Sequence, residues 1–134
     1  MLKIVLKKGV VAEDFLKEVK LKLDEIYNKK GLYVDGDGDL AYNDDGEGYS
    51  YSAWIRGRKT EQTENGTVLY FGIVKSKEKK FTIAVYAFYH TYFSRFLLNW
   101  MGEQIKEIVI SSELDPDFDV YEESNRFKSE SSIL

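Results

Sequence analysis

Asp35, Asp37 and Asp39 alternate with glycine, which is the spacing of the carboxylates at positions 1, 3 and 5 of an EF-hand calcium loop. The pattern then breaks. Its sixth position is Leu40 where the sharp turn needs glycine, and its twelfth is Gly46 where the ion needs a bidentate glutamate. The flanking residues alternate like strands and do not form two helices, so the segment is expected to be an acidic hairpin turn without a metal. Gly36, Gly38, Gly46 and Gly48 do not make a phosphate cradle either. No lysine follows at the required spacing, and the intervening carboxylates would repel an anion.

The chain has one histidine, His90, and no cysteine. A zinc site would need further ligands that histidine and cysteine cannot supply here, and a general base would need an orienting partner. His90 is therefore expected to pack or to start a helix. No catalytic residue, no metal and no cofactor are expected, and the chain is read as a non-enzyme. Asn65-Gly66-Thr67 matches a glycosylation acceptor, but a turn accounts for it better.

Two arrangements point to binding. Trp54 lies between Ser52 and Arg56 on an alternating segment, with Arg58 next on the same face. Tryptophan and arginine are the residues most enriched at binding hot spots, and an uncovered tryptophan leaves a large apolar area wet. The second arrangement is electrostatic. Residues 35–47 hold Asp35, Asp37, Asp39, Asp44, Asp45 and Glu47, and residues 113–123 hold Glu113, Asp115, Asp117, Asp119, Glu122 and Glu123, with no lysine or arginine in either. The net charge of -4 thus conceals two acidic segments on a body that is otherwise basic by +8. Such segments either keep a protein soluble or dock a basic partner.

The expected partner surface comprises Trp54, Arg56, Asp35, Asp37, Asp39, Asp44, Asp45, Asp115, Asp117 and Asp119. The leading expectation is a protein that binds and blocks a basic protein such as a nuclease, in the manner of an inhibitor or a toxin-neutralising immunity protein. The alternative is a small-ligand module with a pocket lined by Tyr49, Tyr51 and Tyr70. Nucleic-acid binding through Trp54, Arg56, Arg58 and the lysines of 75–80 is opposed by the net charge and the acidic segments.

The elements that must position these groups follow from hydrophobic period. Residues 1–8 read as a strand whose apolar part is too short for a secretory signal. The longest uncharged run, 81–94, falls well short of the roughly 20 apolar residues that span a bilayer, so a cytoplasmic protein without membrane contact is expected. Phe15, Val19, Leu23, Ile26 and Tyr27 build one helical stripe within 12–30, with Gly31 as its stop. Short strands at 32–35 and 40–43 flank the acidic turn. Residues 49–58 alternate, with Tyr49, Tyr51, Ala53 and Ile55 facing the core. A polar loop is expected at 60–66, then a hairpin of strands 67–75 and 81–89 closed at 76–80, then a helix to about residue 110.

The predicted whole is α+β: one domain over 1–123, a mainly antiparallel meander of about five to six strands with two packed helices, and a disordered tail at 124–134. Because strand 67–75 is apolar on both faces, both faces of the sheet need cover. A second copy of the chain or a protein partner is expected to seal part of it.

Overall fold

The computed structural model describes residues 1–44, 48–119 and 133–134. Among them, six strands form one antiparallel sheet with two helices, in the order β1 (Leu2–Leu6), α1 (Ala12–Tyr27), β2 (Gly31–Val34), β3 (Leu40–Asn43), β4 (Ala53–Thr63), β5 (Gly66–Lys75), α2 (Ile83–Met101) and β6 (Ile105–Ile110). The strand order across the sheet is β2-β3-β4-β5-β1-β6. The α+β class, the strand number and the two helices agree with the sequence reading. No described helix is long and apolar enough to cross a membrane.

Period two divides the sheet into faces. Leu2, Ile4 and Leu6 of β1, Leu40 and Tyr42 of β3, Ala53 and Ile55 of β4, and Leu69, Phe71 and Ile73 of β5 lie in one core with Phe15, Val19 and Leu23 of α1 and Tyr89, Phe93, Phe96 and Leu97 of α2. The intervening residues face the other way, where Ala41, Trp54 and Val74 form a smaller cluster with Tyr33 against it. Both faces of β5 are therefore buried, which is why it reads as apolar throughout.

Three assignments are corrected. Residues 83–89 are the start of α2 and not a strand, because the Thr82 side chain accepts from the Val85 amide at 3.2 Å and caps a helix whose buried residues recur at three and four. That helix ends at Met101, and the β-branched run that follows is β6, paired with β1 through Ile4↔Ile108 and Leu2↔Ile110. Residues 60–63 belong to β4, so the long hairpin is β4–β5, closed at Glu64-Asn65 with Thr63 opposite Gly66. Gly66 has φ 122°, and a Cβ there would lie 2.3 Å from the Leu6 carbonyl oxygen, so both conformation and space require glycine.

Smaller differences follow the same logic. Asn28 and Lys29 take left-handed conformations and end α1 at Tyr27, leaving Gly31 to open β2. Tyr51 stands in a turn at φ 53° and is exposed, whereas Ala53 and Ile55 are core as expected. Of the segment expected to be a disordered tail, 124–132 lies outside the described residues. Leu134 is buried in the helix-side core, and Ile133 fills the space that a side chain at Gly57 would take.

Candidate functional site

Leu40 pairs with Ile55, Ile55 with Ile73 and Leu2 with Phe71, so Asp39, Arg56 and Gly72 follow one another across β3, β4 and β5 on the face away from the helices. The Arg56 guanidinium donates to Asp39 through Nε at 3.0 Å and Nη2 at 3.3 Å, a forked pair whose side chains are 1% and 0% exposed. At the next strand the chain of 115–119 crosses the sheet. A Cβ on Gly72 would lie 1.9 Å from the Phe118 carbonyl oxygen, so only glycine admits this approach, and the Phe118 ring stacks on Tyr70 at 4.9 Å.

The two acidic turns are built alike. In the first, Asp35 Oδ1 accepts from the amides of Asp37 at 2.9 Å and Asp39 at 3.0 Å. In the second, Asp115 Oδ1 accepts from the Asp117 amide at 2.9 Å. Each first aspartate thus folds its own turn, and each last aspartate is sunk into the sheet. Asp119, 3% exposed, accepts through Oδ1 from the Ile73 amide at 2.7 Å, and through Oδ2 from the Asp115 amide at 2.5 Å and the Met1 amine at 3.2 Å. Strand β1 pairs with β5 only as far as Leu2↔Phe71, so Asp119 serves an amide of β5 beyond that pairing.

These contacts sort the expected surface residues. Asp39, Arg56 and Asp119, expected as surface charges, are buried structural groups, and Trp54 is 6% exposed and packed with Ala41 and Val74. Asp35 and Asp115 are half-buried in their turns, while Asp37 and Asp117 are exposed. Asp44 is exposed at the far end of β3, where its amide donates to Ser50 Oγ at 2.8 Å, and Asp45 lies outside the described residues. The structure therefore brings Asp39 and the 118–119 end of the second turn onto one face and leaves Asp44 apart. Among the described residues, no three histidine, aspartate or glutamate side chains are grouped to hold a metal ion.

The tyrosines of the alternative pocket do not converge. Tyr49 packs on Phe88 at 4.6 Å beside the helix-side core, whereas Tyr70 stacks on Phe118 across the sheet and the Tyr51 hydroxyl meets that of Tyr33 at 2.8 Å. A polar knot missed in the sequence lies under the start of α2. There the Met1 amine donates to the Tyr86 hydroxyl at 2.5 Å and to Ser111 Oγ at 2.8 Å, and Tyr86 also donates to the Ser111 carbonyl at 2.8 Å. His90 packs edge-on against Tyr86 at 4.6 Å, fully buried, with neither ring nitrogen hydrogen-bonded among the described residues.

Burial, aided by the Met1 ammonium, lowers the His90 pKa from 6.5 to about 3. An imidazole that stays neutral in the fold but titrates near 6.5 when unfolded makes the unfolded state bind the extra proton in acid. Its contribution to stability is complete above pH 6.5 and is lost as pH falls towards about 3, with a limiting slope of about 1.4 kcal/mol per unit. His90→Leu is expected to flatten urea-melt stability between pH 6 and 4 by up to that slope. An unchanged profile would remove His90 from the acid response.

Compared with known proteins, the chain matches no protein-family model, no curated protein and no solved structure.

Proposed function

We propose that this chain is a non-enzymatic, cytoplasmic protein that binds a basic protein partner, of the inhibitor or toxin-neutralising immunity type, through an acidic face of its sheet. One observation carries the reading. Two Asp-x-Asp-x-Asp turns far apart in sequence are anchored by their last residues, Asp39 and Asp119, on the same sheet face at β3 and β5, about two strand spacings or 10 Å apart. Asp37 and Asp117 are exposed at their tips, and the buried last aspartates hold both turns in place without contributing to the contact themselves. Pre-positioned like charges of this kind raise the encounter rate with a cation-rich surface and reject acidic ones.

The test is capture from an extract of the native organism at low ionic strength, with the wild-type chain and an Asp37→Asn/Asp117→Asn double variant in parallel. A basic protein is expected on the wild-type chain, associating about tenfold or more slowly with the variant and with a shallower dependence on salt. Folding should be unaffected, since exposed charges contribute little to stability. If whatever is captured is indifferent to both salt and substitution, the acidic face is not the contact.

A further inference from the structure

Among the described residues, strand β6 ends the sheet and pairs only with β1. The Ser111 amide donates to the Met1 carbonyl at 2.9 Å, so residues 109 and 111 direct their backbone groups towards β1. By alternation, Ile108 and Ile110 direct theirs outward, and among the described residues nothing pairs with them. Natural edges are usually blunted by charge, proline or a bulge. The first half of β6 has such protection, with a register shift opposite Val5 and Leu6 and with Lys106 and Glu107 exposed. The second half, Ile108-Val109-Ile110, has no charge and no proline, and Val109 is 41% exposed.

We propose that this edge pairs with the same edge of a second copy, antiparallel, about a two-fold axis at Val109. That register matches every outward group: Ile108 faces Ile110 of the second copy and exchanges both backbone bonds with it, and the symmetry repeats the exchange. It also keeps the faces consistent, because residues of equal parity oppose one another and the two helix layers lie on the same side of a continuous sheet. Val109 meets Val109, and Glu107 meets Ser111 of the second copy, so no like charges are opposed. An axis at Glu107 would oppose two carboxylates, and one at Ile108 would set Val109 against Glu107. A contact of a few residues is a small interface, so the association is weak. It is independent of the acidic face, which lies at β3 to β5.

Lys3 stands directly opposite Val109 within the chain, which supplies a clean variant. Val109→Glu places a carboxylate beside Lys3 in the monomer, keeping the fold, but opposes two carboxylates across the axis. Sedimentation equilibrium across the micromolar range is expected to give a monomer–dimer equilibrium for the wild-type chain, weakened about tenfold or more in Val109→Glu and restored by mixing Val109→Glu with Val109→Lys. Amide exchange should slow at Ile108 and Ile110 as wild-type concentration rises, and not in Val109→Glu. A wild-type chain that remains monomeric throughout, or a dimer indifferent to Val109→Glu, overturns the proposal. So does a monomer whose two amides are protected only by a foreign extended segment, which would assign the edge to another protein.

Discussion

Asp39→Ala is expected to destabilise the chain by about 3 kcal/mol, because it removes the buried carboxylate onto which the Arg56 guanidinium is forked. The forked geometry offsets the desolvation of both groups only while both are present. Arg56→Met alone should cost a comparable amount for the converse reason. The double variant Asp39→Leu/Arg56→Met removes both charges and should lose clearly less than the two single losses combined. Urea melts of the four proteins give the coupling directly. Strictly additive losses would mean that the pair is not an energetic unit. A weakened partner affinity in any Asp39 variant would then report on the turn's anchorage and not on a contact made by Asp39.

Asp119→Ala is expected to cost about 3 kcal/mol or more. One carboxylate there satisfies the Ile73 amide, the Asp115 amide and the Met1 amine, and truncation leaves a buried N–H of β5 without an acceptor. Asp119→Asn keeps one oxygen and should recover part of the loss. Asp117→Asn, two residues away and exposed, should stay within about 0.5 kcal/mol of wild type. Equilibrium unfolding separates the three, and amide exchange at Ile73 localises the effect. If Asp119→Ala melts like Asp117→Asn, the 115–119 turn is not held by this carboxylate.

Helix α1 was legible because Phe15, Val19 and Leu23 repeat at helical spacing with no competing period. The start of α2 was not. Phe81 to Tyr89 is rich in β-branched and aromatic residues, which read as strand, and they outweighed the opposite message of the Thr82 cap and of Val85, Tyr86 and Tyr89 at helical spacing. The error at the other end has a related cause: Ile105 and Ile108 extend the three-residue spacing past Met101, although β-branched Ile105–Ile110 alone suits a strand. Residues 60–63 read as loop because the outer end of the β4–β5 hairpin projects and is polar.

The acidic segments were visible as composition, but their division into buried anchors and exposed tips was not. That division depends on which strands become neighbours. Alternation alone places Asp39 beside Leu40 and Arg56 beside Ile55, on matching faces, and this was the one signal from which the ion pair could have been read. Nothing local marks Asp119 as the acceptor for Ile73, since the two are joined only by the return of the chain across β5.

The position of β1 governs how the sheet is assembled. Strands β2 to β5 each pair with their neighbour in sequence, but Ile4 pairs with Leu69 on one side and Ile108 on the other. The four-stranded meander can therefore grow through short loop closures, whereas β1 must wait for two distant segments before both its edges are filled. On an emerging chain β1 is made before both strands that flank it and is among the last of the six to have its two edges filled. The non-local pairings of β1 are thus the slow ones that this topology imposes, and its second edge is filled only when Ile105–Ile110 docks.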